Sequence, residues 1–249
     1  GRDPHALLAH LVAFALALGV VLGRAAGVPP RLALLLGVGT AICGNTAIVT
    51  IAPVIGASSR ETSCAVTTIT VFGTVAVLLY PFIGLLAGMS EPALGAWAGM
   101  AVHDTSQVVA TASAVGSTAL AYATVVKLTR NVLIAPVVLL LGAVAGAGER
   151  STAGRGRRLA AAVPMFVWGF LLLAALRSAG LVGEDLAAVA RPASRALILV
   201  ALAALGLSTP VRSLPGLGLR PFLLGFALAV TTAGLAFAAI ASGLVPLPA

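Results

Sequence analysis

The sequence has very few charged residues. Only 9% of its 249 residues are Asp, Glu, Lys or Arg, whereas 60% are hydrophobic and the mean hydropathy is +1.11. A soluble domain carries roughly 25% charged residues, so this chain lacks the polar side chains needed to cover a surface that faces water. The composition therefore excludes an ordinary soluble domain and predicts a protein of the lipid bilayer.

Aromatic residues are also scarce, at 5%, and they do not alternate with basic ones. A nucleic-acid partner is therefore excluded in spite of the net charge of +8. The positive charge is better explained as a mark of cytoplasmic loops. The predicted location is the inner (plasma) membrane, with the chain crossing it several times.

Cysteine and enzyme signatures are nearly absent. The two cysteines, Cys43 and Cys64, have neither metal-ligand nor disulfide spacing and are predicted to be buried thiols. The sequence contains no GxSxG, HExxH or phosphate loop, and His103, Asp104 and Ser106 would point in different directions from one helix. We therefore expect no enzyme activity, no metal and no cofactor.

Long hydrophobic segments make up most of the chain, and each can cross a bilayer as a helix of about 20 residues. The fold class is thus predicted to be all-α, a polytopic membrane protein in which residues 1–249 form one transport domain. The eight predicted spans are residues 6–23, 32–56, 62–88, 93–116, 119–147, 160–180, 192–208 and 220–245.

Arginine predicts the orientation, because cytoplasmic loops are enriched in Lys and Arg. The richest loop, residues 149–158, is placed in the cytoplasm, and alternation of the spans then puts Arg24, Arg31, Arg212 and Arg220 on the same side. The turn with Glu184 and Asp185 falls outside. Three arginines do not fit this scheme: Arg60, Arg177 and Arg191.

Two spans are interrupted by glycine, polar residues and proline: GVGTAICGNTAIVTIAP at 37–53 and ALGLSTPVRSLPG at 204–216. Broken helices at membrane depth line cavities and expose helix ends to a substrate. The breaks lie five spans apart and so run in opposite directions, which predicts an inverted-repeat transporter with two broken, crossing helices. Residues 1–88 would end the first repeat and 93–249 form the second, with about two further helices expected before Gly1. The alternative is that the glycines only allow close helix packing.

Lys127 and Arg130 lie within the apolar stretch 119–147, three residues apart and hence on one helix face. They would lie about 12 to 17 Å from its start, where an unpaired charge costs about 2.5 to 3.5 kcal/mol or more. Since the excess charge is positive, the expected occupant of the pathway is a small anion, bound by Lys127, Arg130 and the adjacent Asn131.

A second polar cluster lies at residues 103–107. His103 and Gln107 are four apart and would share one helix face, and Asp104 could pair with one of the two cations. We predict that His103, Asp104 and Gln107 gate the pathway, couple a proton or hold the cations; the alternative is a static buried network.

The two breaks supply the remaining candidate residues. Gly44, Asn45 and Thr46 offer backbone N–H groups and small polar side chains at the start of a half-helix, which suit an anion. The second break would contribute Gly206, Ser208 and Thr209.

At these motifs the sequence resembles the YeiH-type family of sulfate exporters. The matching runs are GVGTAICGNTAI (37–48), AP (52–53), LLYPFIG (78–84), GAWAGMAVHDTSQVVA (95–110), ATVVKLTRNVLIAPV (123–137) and ALGLST (204–209). The chain departs from the family pattern at Asn45 and Thr46, where a second glycine and a serine are usual, and at Asp104, which is usually Glu. The resemblance implies a fold like that of bile-acid symporters and cation–proton antiporters.

The sequence therefore predicts a secondary transporter that moves a small anion by alternating access. Sulfate or an organic sulfonate is the first choice and a carboxylate the next, with proton or sodium coupling and homo-oligomer formation both left open. A passive anion channel and a membrane scaffold without transport are the alternatives.

Overall fold

A computed structural model describes residues 4–144, 165–208 and 218–245, and these residues form eleven α-helices and no strand. The helices are α1 (Pro4–Ala25), α2 (Pro30–Ala41), α3 (Asn45–Ile51), α4 (Ser59–Leu86), α5 (Glu91–Ala101), α6 (Thr105–Ser113), α7 (Ser117–Val132), α8 (Ile134–Val144), α9 (Met165–Ser178), α10 (Glu184–Ser208) and α11 (Leu219–Ala241).

The all-helical prediction is confirmed for the described residues. The number of eight membrane spans stays a prediction. Three helical segments of the described chain are long and apolar enough to cross a membrane: Ser59–Leu86, Ser117–Gly142 and Leu219–Ala241. Large apolar side chains cover their outer faces; Leu78 on α4, for example, is 74% exposed. Apolar outer faces are what contact with the hydrocarbon core of a bilayer requires.

The chain breaks where the second predicted span should continue, at residues 42–44. Ile42 leaves the helical region (φ −118°, ψ −95°) and Gly44 takes a positive φ of 64°, a conformation that glycine adopts without strain. The prediction of an interruption within 37–53 is thus confirmed.

Beyond this break the chain turns back on itself. Ile48 of α3 packs on Gly39 of α2, where an added Cβ would lie 2.8 Å from the Ile48 Cδ1 atom. Past α3, the Arg31 guanidinium lies 3.8 Å from the position of a Cβ on Gly56. Residues 30–57 are therefore a helical hairpin, hairpin 1, whose two ends lie together.

A second hairpin, which the sequence analysis did not predict, occupies residues 91–116. The fourth predicted span is not one helix, because α5 ends at Ala101 and α6 begins at Thr105. Glu91, at the start of α5, accepts hydrogen bonds from the backbone N–H groups of Thr118 (3.2 Å) and Ala119 (3.4 Å). The end of hairpin 2 thus lies beside its beginning.

The other predicted break, at 204–216, lies mostly outside the described residues. Residues 204–208 form the last turn of α10, and nothing is described from Thr209 to residue 217. The crossing of this segment with residues 37–53 stays a prediction.

Glycines let the hairpins and long helices approach closely. A Cβ on Gly19 of α1 would lie 2.7 Å from the Cα atom of Gly37 on α2. One on Gly99 of α5 would lie 2.8 Å from the carbonyl oxygen of Ala123 on α7. Trp97 of α5 donates its indole N–H to the carbonyl of Ala233 (2.9 Å) and so anchors α11. Close packing of this kind brings α7, with its two cations, directly behind both hairpins.

Candidate functional site

The tips of the two hairpins meet inside the protein. At Gly44, a Cβ would lie 3.2 Å from both the Cα and the N atom of Asp104. The C-terminal ends of α2 and α5 and the N-terminal ends of α3 and α6 therefore come together at one place. We call this place, formed by residues 40–46 and 99–107, the junction.

Lys127 reaches the junction from α7. Its side chain is fully buried, and its ammonium group donates to the carbonyls of Ile42 (2.8 Å), Val102 (2.9 Å) and His103. An ammonium has three N–H donors, so all of them are used by main-chain oxygens from both hairpins.

Arg130, also buried, binds the last turns of α2 and α5. Its Nε atom donates to Ala41 (3.1 Å), and its Nη2 atom donates to Thr40 (2.8 Å) and Ala41 (2.6 Å). Its Nη1 atom donates to Gly99 (3.1 Å) and to Met100. All five guanidinium donors are thus used.

These carbonyls are the ones that a helix leaves without a partner at its C-terminal end, where the helix dipole is also negative. Lys127 and Arg130 therefore cap α2 and α5 simultaneously. The prediction that both cations share one face of their helix and point inward agrees with the structure. Direct contact of either cation with an anion, which would need one of these hydrogen bonds to break, stays a prediction.

Asp104 does not pair with a cation. Its carboxylate accepts from the backbone N–H (2.9 Å) and the hydroxyl (2.6 Å) of Ser106, which makes it the N-cap of α6. Among the residues that the structure describes, no ion pair joins it to Lys127 or Arg130. The expected pairing is not seen because main-chain oxygens already occupy both cations.

The prediction that His103 and Gln107 share a helix face is wrong, because the break at 102–104 separates them. His103 is buried, and its carbonyl accepts from Lys127. Gln107 lies on α6, and its side-chain amide donates to the Thr70 carbonyl (3.0 Å) and the Thr74 hydroxyl (3.3 Å) of α4.

Only some of the remaining predicted residues lie at the junction. Asn45 bonds the Thr70 hydroxyl (3.1 Å) and Asn131 donates to the Thr105 hydroxyl (3.2 Å), so both belong to the junction. Thr46 lies next to Asn45 but is exposed. Gly206 and Ser208 are in the last turn of α10, which packs against α6, and Thr209 lies outside the described residues.

Thr70 and Thr74, which were not predicted as site residues, connect α4 to both hairpins. A signal was present: Thr67, Thr70 and Thr74 follow one another at helical spacing on an apolar helix. Four buried side-chain atoms near the junction have no partner within the described residues: Thr40 Oγ1, His103 Nδ1, Gln107 Oε1 and Asn131 Oδ1. The site thus combines capped helix ends with buried polar atoms that have no hydrogen-bond partner among the described residues.

The model of a family described as conserved hypothetical protein 698 matches residues 3–225 of the chain. The chain belongs to this family. A UPF0324 membrane protein of Agrobacterium fabrum is 38% identical over 208 residues, which cover 83% of this chain and 58% of the relative. Another UPF0324 membrane protein, from Bdellovibrio bacteriovorus, is 36% identical over 239 residues, or 93% of this chain and 70% of the relative. No solved structure matches.

The chain spans 58% of the length of the Agrobacterium relative. Family members are membrane proteins by name, and the described helices have the length and composition to span a bilayer. The protein is therefore a membrane protein, as the scarcity of charge predicts.

Proposed function

We propose that the protein is a secondary transporter of a small anion and that the junction is its substrate site. The observation that carries the proposal is the meeting of two interrupted helices on two buried cations in an otherwise apolar protein. Interrupted helices at membrane depth occur where they line a cavity or a transport pathway.

The charge balance at the junction favours an anion. Each helix end carries about half an elementary charge, so the C-terminal ends of α2 and α5 offset about one of the two positive charges. Asp104 offsets about one more, whereas the N-terminal ends of α3 and α6 add about one positive charge back. The junction is thus left positive by about one charge, which an anion would neutralise.

Sulfate or an organic sulfonate is the first choice of substrate, and a carboxylate is the second. The resemblance to YeiH-type sulfate exporters supports this order. The Thr40 hydroxyl and the His103 ring nitrogen, both buried and without a partner, are available to donate to such an anion. No nucleotide-binding motif is seen in the sequence, so an ion or anion gradient, with proton or sodium as the coupling ion, would drive transport.

Counterflow in reconstituted vesicles tests the proposal. Vesicles loaded with unlabelled sulfate should accumulate labelled sulfate transiently and saturably, because one site alternates between the two faces. Flux that rises linearly with sulfate would indicate a channel instead. Neither flux nor binding with sulfate, an organic sulfonate or a carboxylate would indicate a scaffold and overturn the proposal.

A further inference from the structure

We propose that hairpins 1 and 2 are re-entrant loops that enter the bilayer from opposite faces, so that each hairpin closes the junction from its own side. This topology does not depend on which solute the protein moves. It makes residues 30–86 and 91–144 an inverted pair of units, each consisting of a hairpin followed by a long helix.

The lengths of the half-helices fit a re-entrant path. The 12 residues of α2 and the 11 of α5 rise about 18 and 16 Å, roughly half of the 30 Å hydrocarbon core. Each hairpin then returns to its starting level. Arg31 lies against Gly56 at the base of hairpin 1, and Glu91 holds the start of α7 at the base of hairpin 2.

The long helix α4 separates the two bases. One residue separates hairpin 1 from α4, and four residues separate α4 from α5. The 28 residues of α4 rise about 42 Å, which is more than the thickness of the hydrocarbon core. The two tips both contact its middle, where Asn45 bonds Thr70 and Gln107 packs on Gly73. Bases at opposite ends and tips at the centre require entry from opposite faces.

The segment α7–α8 repeats this plan in reverse. It starts beside the base of hairpin 2 and ends near the base of hairpin 1, where a Cβ on Gly142 would lie 3.6 Å from the Val54 Cγ1 atom. Pro136 explains the irregularity at Leu133 between the two helices, since its ring excludes the carbonyl of residue 132 from helical pairing.

The arginines support this topology. Arg24 and Arg31 flank the short loop before hairpin 1, Arg60 follows the hairpin, and Arg220 lies 3.1 Å from the position of a Cβ on Gly27. All four lie on one face, the Arg face, so Arg60 no longer contradicts the alternation of spans. The turns at the other ends, residues 87–90 and 114–116, contain no Lys or Arg. The Arg face is therefore cytoplasmic.

Cysteine labelling tests the topology in a background with Cys43→Ala and Cys64→Ala. Single cysteines replace exposed residues on each side of a hairpin: Ala26→Cys and Ser59→Cys for hairpin 1, Ser90→Cys and Ser117→Cys for hairpin 2. A membrane-impermeant maleimide is added to intact cells and, separately, to permeabilised cells, and total thiol is measured after denaturation.

We expect Ser90→Cys and Ser117→Cys to react in intact cells, and Ala26→Cys and Ser59→Cys only after permeabilisation. Labelling of Ala26→Cys and Ser59→Cys from opposite faces would show that residues 30–57 cross the membrane and would overturn the proposal. The same holds for the second pair. Arg60→Cys and Thr118→Cys replace Ser59→Cys and Ser117→Cys if either fails to accumulate. Labelling needs no transport, so its outcome is separate from that of sulfate counterflow.

Discussion

Lys127 is a charged side chain whose partners are all main-chain carbonyls. It could be a cation that waits for a substrate anion, or a structural cap for two helices. The two roles predict opposite effects on stability, because an unpaired buried charge costs free energy whereas a cap contributes it.

We predict that Lys127→Met lowers the melting temperature of the purified protein in detergent. The carbonyls of Ile42, Val102 and His103 would lose their donor, and each unsatisfied buried group costs about 1 to 3 kcal/mol. For a chain of this size, a fall of at least about 4 °C should follow. Arg60→Met is the matched control, since Arg60 is exposed at the start of α4. An unchanged or higher melting temperature for Lys127→Met would assign the charge to the substrate instead.

The direction of both cations could be predicted from sequence, whereas their partners could not. Spacing alone places Lys127 and Arg130 on one face, and the cost of a buried charge turns that face inward. Asp104 was the obvious acid for them, but carbonyls become acceptors only where helices end. Residues 102–104 (VHD) contain no glycine or proline and resemble ordinary helix sequence, so nothing in the sequence marks the end of α5 at Ala101.

Hairpin 1 depends on one backbone conformation at its tip. The turn from α2 into α3 passes through Gly44, whose φ of 64° and contact with Asp104 both exclude a side chain. The segment Gly44, Asn45 and Thr46 therefore brings the two hairpins together, in addition to any part that it has in binding.

We predict that Gly44→Ala destabilises the protein by about 1 to 3 kcal/mol, since a side chain at positive φ is strained and its Cβ would press on the backbone of Asp104. Thermal unfolding measures the effect. Gly234→Ala is the control, because that helical glycine has no neighbour within 4 Å of an added Cβ and alanine favours a helix. Equal stability of Gly44→Ala and the parent would mean that the tips do not touch.

At the scale of the elements, the first interruption was predictable because glycine and polar residues stand in an apolar block. That the chain turns back there, rather than crossing, could not be predicted. This depends on contacts between distant residues, such as Arg31 with Gly56 and Glu91 with Thr118. A periodic apolar pattern indicates which face of a helix is buried, but it does not indicate in which direction the next segment of the chain runs.

At the scale of the whole molecule, two groups of positive charge within the described residues concern anion binding. The Arg face carries exposed arginines, and the junction carries two buried cations. Since the net charge is +8, anions will also accumulate near the exposed arginines. Salt at 0.1 M limits the range of this attraction to about 10 Å. Binding at the junction must therefore be measured against this general effect.

Asp104→Asn separates binding at the junction from the general attraction to the exposed arginines, because asparagine caps a helix as well as aspartate does but carries no charge. If an anion binds at the junction, removing the one acid there should tighten sulfate binding several-fold, seen as a larger rise in melting temperature at each sulfate concentration. Potassium chloride at matched ionic strength corrects for screening, and Arg60→Gln, on the Arg face, should bind like the parent. If Asp104→Asn leaves the sulfate dependence unchanged while Arg60→Gln weakens it, the anion binds at the surface and the junction does not serve as an anion site.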